Sequence, residues 1–305
     1  MEKILVLMST YNGHEYIEQQ IESIFKQKEV LVSLLIRDDG SNDNTIDKIN
    51  SLKKKYSDLN LITGNNLGPA KSFMELIKIA NNDYSCFDYY AFSDQDDVWL
   101  DNKLKKAISL IQKKAREHKY ILYSSNLKVV DEKLQLLYQT ENQLYSYEEY
   151  LLRNNMAGCT MVFNNQLCHL LNIYYPNYIE MHDSWILRVA LSSDDGYLIQ
   201  DDNSYILYRQ HGNNAVGSSR SVIKNFKFKL YNLFSKKKVT TKTAKELLEG
   251  YSDYINDNKK SILSVLCNDT NIMSKYLILV YFRKIKFSST MRRLFFIWDT
   301  IFGNL

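Results

Sequence analysis

Short apolar segments alternate with amphipathic ones through the first 118 residues, and that alternation limits the chain to few folds. Ile4–Met8, Leu31–Ile36, Leu59–Thr63 and Phe87–Phe92 are strand-like runs. Between them the apolar residues recur at helical spacing. His14–Gln27 places Ile17, Ile21, Ile24 and Phe25 on one face, and Asp43–Tyr56 forms a second helix. Pro69, directly after Gly68, opens a third helix with Phe73, Leu76, Ile77 and Ala80 inward. A fourth helix follows Ser93, with Leu104, Ala107, Ile108 and Ile111 inward. This βαβαβαβα order predicts an α/β fold, a mainly parallel sheet flanked by helices.

The fold in turn gathers the polar loops. Thr10-Tyr11-Asn12-Gly13, Arg37-Asp38-Asp39-Gly40-Ser41, Asn65-Asn66-Leu67-Gly68 and Ser93-Asp94-Gln95-Asp96-Asp97 each follow a strand. In a parallel sheet all four lie on the carboxyl edge, where ligands bind. The last loop carries three carboxylates within four residues. They repel one another and lose hydration if buried. A hard divalent cation, itself held by carboxylates and substrate phosphates, relieves that cost. The plainer reading is an acidic turn that caps the next helix; four polar loops on one edge weigh against it.

Composition narrows the setting. The 305 residues are 45% hydrophobic and 24% charged, enough for a substantial core. No apolar run approaches the roughly 20 residues of a membrane span, and Ile4–Met8 is too short for a signal-peptide core. Cys86, Cys159, Cys168 and Cys267 form no metal-like spacing, so they read as reduced thiols of a cytosolic protein. Charge is uneven: residues 220–305 hold 17 Lys and Arg against 6 Asp and Glu, while the preceding part is net acidic.

The order and spacing of Ser9-Thr10-Tyr11-Asn12, Asp38–Thr45, Asn66-Leu67-Gly68 and Ser93–Asp97 resemble a family 2 glycosyltransferase of the GT-A fold. Phe92–Trp99, Gly158-Cys159, His182-Asp183-Ser184-Trp185 and Tyr208–Asn214 further resemble its rhamnosyltransferase-like branch. The resemblance covers residues 1–217. It implies an inverting, metal-dependent transfer of a sugar, L-rhamnose from dTDP-L-rhamnose, to a lipid-linked or polysaccharide acceptor in bacterial surface polysaccharide synthesis. A UDP-sugar transferase of the same family is the alternative. A sugar-nucleotide pyrophosphorylase shares the strand order but carries a Gly-rich, Arg-containing loop that Thr10–Gly13 does not match. A non-catalytic nucleotide-sugar-binding subunit is the non-enzyme rival.

Residue by residue, Asp38 and Asp39 can accept a hydrogen bond from a pyrimidine N3–H, or form an Asx-turn before the second helix. Thr10, Tyr11 and Asn12 hold ribose, or a turn and a helix cap. Gly68, Lys71 and Gln95 complete the nucleotide-sugar contacts, Lys71 otherwise being a solvated lysine. The resemblance implies that Asp96 ligates Mn²⁺ or Mg²⁺, that Asp94 contacts ribose or the metal, and that His211 completes the metal site or meets diphosphate. Asp97 orients its neighbours or caps the fourth helix. Asp183 is the candidate general base, or the N-cap of a helix over Ser184–Leu191. Gly158, His182, Trp185 and Arg209 are the acceptor or sugar contacts, Trp185 otherwise being core.

These assignments divide the chain into residues 1–118, a nucleotide-binding half, residues 119–217, an acceptor and catalytic half, and residues 218–305, a helical basic tail. Lys224, Lys227 and Lys229 alternate with Phe226 and Phe228, Lys236-Lys237-Lys238 follows, and Arg283, Lys284, Lys286, Arg292 and Arg293 flank aromatics. That pattern suits an anionic membrane surface or an oligomer contact, with nucleic acid ranked below. The expected protein is peripheral on the inner face of the cell membrane.

Overall fold

The computed structural model describes residues 1–211, 238–267, 272–283, 287–288 and 290–302. The basic residues Lys224, Lys227, Lys229, Lys236 and Lys237, and Gly212, Asn213 and Asn214, lie outside the described residues. Four parallel strands open the chain: β1 (Lys3–Thr10), β2 (Leu31–Asp38), β3 (Leu59–Thr63) and β4 (Tyr89–Ser93). Helices α1 (Ile17–Phe25), α2 (Thr45–Lys53) and α3 (Pro69–Asp83) connect them. Next come β5 (Val98–Trp99), α4 (Lys103–Lys114), β6 (Tyr120–Val130), β7 (Leu136–Gln139) and α5 (Tyr147–Leu152). The middle closes with β8 (Val162–Asn164), α6 (Asn165–Asn172), α7 (His182–Ser192) and β9 (Gly196–Arg209). Helices α8 (Val239–Tyr251), α9 (Asp257–Cys267), α10 (Ile272–Phe282) and α11 (Thr290–Phe302) complete the chain.

The strands run β3-β2-β1-β4-β8-β6-β9-β5, with β7 paired to β6. The expected parallel pairing holds from β3 to β4. Beyond β4 the sheet is mixed: β8 runs antiparallel to both β4 and β6, and β6 pairs with β9 in parallel. Thr10 is level with Asp38, Asp38 with Thr63, and Met8 with Ser93. The four loops therefore leave one edge together.

Alternation along each strand sorts the core into two layers. Leu5, Leu7, Tyr90 and Phe92 face one layer, and Ile4, Val6, Met8 and Ala91 face the other. Strands covered on both faces read as continuous apolar runs, as β1 does. Helices α1, α2 and α4 cover the second layer through Ile17, Ile21, Ile49, Leu104 and Ile108. Helix α3 covers the first through Phe73, Leu76, Ile77 and Ala80. There α6, α7 and the four C-terminal helices join it, bringing Trp185, Leu247, Tyr251, Leu263, Ile278 and Phe296 into one core. The helices after Lys238 thus extend an existing core instead of building their own.

Element ends differ from expectation by a few residues. Helix α1 starts at Ile17, because the Gly13 carbonyl accepts from the N–H of both Tyr16 and Ile17 in a preceding turn. Helix α7 starts two residues early, at His182, which puts Asp183 inside its first turn.

Gly196 is where β9 begins against α7. A Cβ there would lie 1.6 Å from the Ala190 carbonyl oxygen, which is backbone and cannot swing away. Gly196→Ala should lower stability by about 1–3 kcal/mol, the usual cost of overpacking. Urea denaturation reads this directly; an unchanged midpoint would mean that the α7–β9 junction shifts freely.

Candidate active site

The loop after β4 makes a tight turn, and its side chains go four different ways. Asp94 and Asp96 stay partly open to solvent, whereas Asp97 is buried. The Gln95 Oε1 accepts from the Thr10 hydroxyl at 2.6 Å and the Tyr11 N–H at 2.9 Å, while its amide donates to the Tyr11 carbonyl at 3.2 Å. Gln95 thereby staples the acidic turn to the β1 loop. Gly13 is required at that staple, since a Cβ there would stand 2.3 Å from the Gln95 Oε1.

Asp96 faces the end of β9. The His211 Nε2 lies 2.9 Å from its Oδ2. Arg209 donates its Nε–H to the Asp96 carbonyl at 3.0 Å, its Nη1 to the Glu132 carbonyl and its Nη2 to Gln19, both at 2.5 Å. Its guanidinium also lies over the Tyr16 ring. Arg209 is buried by these partners. It is a strut for the turn, which replaces the expected acceptor contact.

Behind the turn lies a largely buried group of titratable side chains. Asp97 accepts from the Arg209 backbone N–H at 3.3 Å. Asp94, Asp97 and the Cys159 thiol bring their ligand atoms within 4.8 Å of one another. Burial first, then Asp96 and Asp94, push the Asp97 carboxyl well above the usual range. Burial also pushes the Cys159 thiol up, so it stays protonated. Lys103, the first residue of α4, is fully buried with its Nζ 3.5 Å from the centre of the Trp99 ring. It has no hydrogen-bond partner among the described residues, and burial lowers its pKa to about 7. Asn102, not Asp97, holds the N-cap position of α4, so the capping alternative for Asp97 falls.

Asp183 approaches from the other side. It occupies the first turn of α7 and accepts from the Ser184 N–H at 2.5 Å. Burial raises its carboxyl to about 6, against the pull of that hydrogen bond. Asp96 and Asp183 both add to the rise that burial imposes on Asp94, so the three carboxylates share one space. Arg188, one turn further along α7 and buried, tempers Asp183 electrostatically. His182 is sandwiched between Phe73, with ring centres 3.8 Å apart, and Phe92 edge-on at 5.0 Å. Burial lowers its pKa to about 3, so the imidazole is neutral, and neither nitrogen has a partner among the described residues. Gly158 lets the backbone approach the buried Nε2: a Cβ at 158 would stand 2.5 Å from it and 3.4 Å from the Asp183 Cβ.

At the β2 end, Asp38 accepts from the Gly40 and Ser41 N–H groups and the Ser41 hydroxyl, which is the turn alternative. Asp39 pairs with Arg37 and accepts from the Leu67 and Gly68 N–H groups at 2.9 Å each. Both carboxylates are buried, so these bonds replace the expected direct contact of Asp39 with a base. Gly68 holds φ at 77°, a left-handed backbone natural to glycine, and starts α3. Tyr11, Asn12 and Lys71 are exposed on the rim, and Thr10 is buried beneath it. Trp185 is 2% exposed and packs against Tyr251, the core alternative; it offers no face to a sugar.

Sequence reasoning missed Arg37, Lys103 and Arg188. Arg37 is adjacent to the Asp-Asp pair, which was a usable signal. Lys103 and Arg188 read as ordinary helix-face charges, and no local signal marks them as buried.

The family model for glycosyl transferase family 2 matches residues 5–167. The dTDP-rhamnosyl transferase RfbG of Shigella flexneri is 33% identical over 230 residues, covering 72% of this chain and 77% of that protein. The Escherichia coli enzyme WfgD, a UDP-Glc:alpha-D-GlcNAc-diphosphoundecaprenol beta-1,3-glucosyltransferase, is 28% identical over 193 residues, covering 63% and 71%. Among solved structures, S. aureus TarS 1-349 in complex with UDP-GlcNAc superposes with a TM-score of 0.55 at 17% identity, covering 100% of this chain and 90% of that one. That likeness establishes the GT-A fold.

The contact between Gly158 and His182 yields a test. Gly158→Ala pushes a methyl into the imidazole and displaces the first turn of α7. Transfer activity should fall by roughly 10²-fold, the cost of about 1 Å of misplacement, with circular dichroism unchanged. Full activity would show that α7 yields without consequence.

Proposed function

The chain belongs to glycosyl transferase family 2, and on that premise we propose that it transfers L-rhamnose from dTDP-L-rhamnose to a lipid-linked acceptor with inversion at the anomeric carbon. The observation that carries the chemistry is Asp183, a half-sheltered carboxyl held at the mouth of α7 beside Asp94. An inverting transfer needs one carboxylate to remove the acceptor's hydroxyl proton as that oxygen attacks. A general base contributes about 10²–10⁴-fold. With a carboxyl near 6, Asp183 is ionised at neutral pH yet basic enough to take the proton. The rhamnosyl transferase relative supports the donor, and the relative acting on a diphosphoundecaprenol-linked sugar supports the acceptor class.

Asp94 and Asp96 fit a hard divalent cation, Mn²⁺ or Mg²⁺, because they are partly open oxygen donors crowded by like charge. His211, 2.9 Å from Asp96, would be the third ligand. The grouping of Asp94, Asp97 and Cys159 fits less well: its thiol is held protonated, and a protonated thiol does not ligate. When bound, the cation supplies positive charge for the departing diphosphate. The chain's own residues do the rest. The Asp38 turn, the Thr10–Asn12 loop and the 65–71 segment line the rim for base and ribose, with Lys71 toward the phosphates. Gln95 and Arg209 hold the acidic turn in place. His182, neutral and packed between Phe73 and Phe92, holds the first turn of α7 and so positions Asp183.

A UDP-sugar donor is the second reading, favoured by the glucosyltransferase relative.

Three outcomes test the proposal. Asp183→Asn should cut kcat by about 10²–10⁴-fold while the thermal shift induced by donor stays the same. In the parent enzyme kcat should rise tenfold per pH unit below about 6 and level above it, because the base works only ionised. Asp96→Ala should abolish Mn²⁺-dependent stabilisation by nucleotide, measured across dTDP-, UDP- and GDP-sugars. A preference for GDP would overturn the donor assignment, a preference for UDP would move it to the second reading, and undiminished activity in EDTA would remove the metal.

A further inference from the structure

We propose that the outer face of the α10–α11 hairpin is a docking surface for an anionic lipid bilayer. The two helices are antiparallel: the Lys275 Nζ donates to the Ile301 carbonyl at 2.9 Å at one end, and an Arg293 Nη2 donates to the Arg283 carbonyl at 3.3 Å at the other. Their inner faces, Ile278 and Phe282 on α10 and Phe296 on α11, belong to the main core, so their outer faces both point away from it. What points away is apolar. Tyr276, Leu277 and Val280 on α10, and Leu294, Trp298 and Ile301 on α11, are all exposed, Tyr276 by 61% and Trp298 by 46%. On α11 the three recur at i, i+4 and i+7, a single helical stripe. A surface helix normally turns its polar side outward; this one turns an apolar side out, which marks an interaction surface.

Length and charge decide the occupant. Helices of 11 and 13 residues extend about 17–20 Å at 1.5 Å per residue, short of the ~30 Å hydrocarbon core. No described helix is long and apolar enough to cross a membrane. The hairpin therefore suits lying on a bilayer. Exposed Arg283 and Arg293 sit at one end of the ridge, where lipid phosphates would meet them. Tryptophan and tyrosine favour the headgroup level. A second copy of the chain would set two like faces against each other, each from residues 272–302, which hold six Lys and Arg against one Asp; an anionic bilayer has the complementary sign. The inference concerns the surface alone and stands whichever sugar donor the enzyme uses.

Vesicle flotation of the full chain tests it, with phosphatidylcholine alone and phosphatidylcholine containing phosphatidylglycerol. The chain should float with the anionic vesicles and much less with the neutral ones. L294S/I301S changes only exposed side chains and should lower partitioning roughly tenfold or more. R283E/R293E should remove the preference for anionic lipid. In the unmodified chain, brominated lipid should quench Trp298, which is distinguishable because Trp99 and Trp185 are buried. Absence of flotation, unchanged partitioning of L294S/I301S, or absence of quenching would each overturn the proposal. So would a dimer in light scattering that L294S/I301S dissociates, which would give the face to a second copy.

Discussion

Carboxylates that share a space poor in water repel one another, and the carboxyl edge of this sheet is arranged around that repulsion. At contact range two like charges near a protein surface cost on the order of 4 kcal/mol. Asp94, Asp96, Asp97 and Asp183 are brought to one place by two elements from opposite ends of the fold, the turn after β4 and the first turn of α7. The cost is met in layers. Deepest in, burial and its acidic neighbours push the Asp97 carboxyl up, toward its neutral form, and it lies near buried Lys103, whose Nζ rests on Trp99. Further out, Asp94 and Asp96 keep solvent contact. Negative charge is thus favoured at the open rim over the buried depth, which suits the cation proposed for the rim.

The mixed sheet makes this convergence possible. Parallel β1 to β4 deliver four polar loops to one edge, and the antiparallel entry of β8 turns the chain back so that α7 can reach the same edge. The first layer of the core then continues from α3 through α7 into the C-terminal helices. Trp185 joins Asp183 to that mass: two residues past the carboxylate, its ring is locked against Tyr251 of α8. Asp183 is thus positioned by packing that begins about 60 residues later in the chain.

How far the sequence was readable follows from the range of each interaction. Strands, helices and the loops after them were legible because period and turn chemistry are local properties. The acidic segment was legible because carboxylates at that density demand an explanation. Asp39, Arg209 and Trp185 were not, since each is defined by distant partners. The Asp39 oxygens are taken by Arg37 and by backbone 28 and 29 residues on. The Arg209 guanidinium reaches Gln19, 190 residues back. Residue type told that these positions carry polar interactions; only the folded chain tells whether those interactions face inward or toward a ligand. Much of the basic tail pattern, from Lys224 to Lys237, lies outside the described residues.

The Arg209 strut has a further consequence. By bonding to Asp96, Glu132 and Gln19 at once, it joins the acidic turn, the end of β6 and α1 into one rigid piece before any ligand arrives. The entropy of ordering this turn is therefore lost during folding, and a ligand that meets the turn does not have to order it. In the proposed transfer its dipoles and charges would already stand in place as the leaving group develops charge, which leaves little reorganisation to the reaction. The Tyr11 and Lys71 side chains, exposed on the rim, take no part in that joint, whereas the Asn12 Oδ1 accepts from the Asn42 N–H at 2.9 Å and ties the β1 loop to the β2 loop.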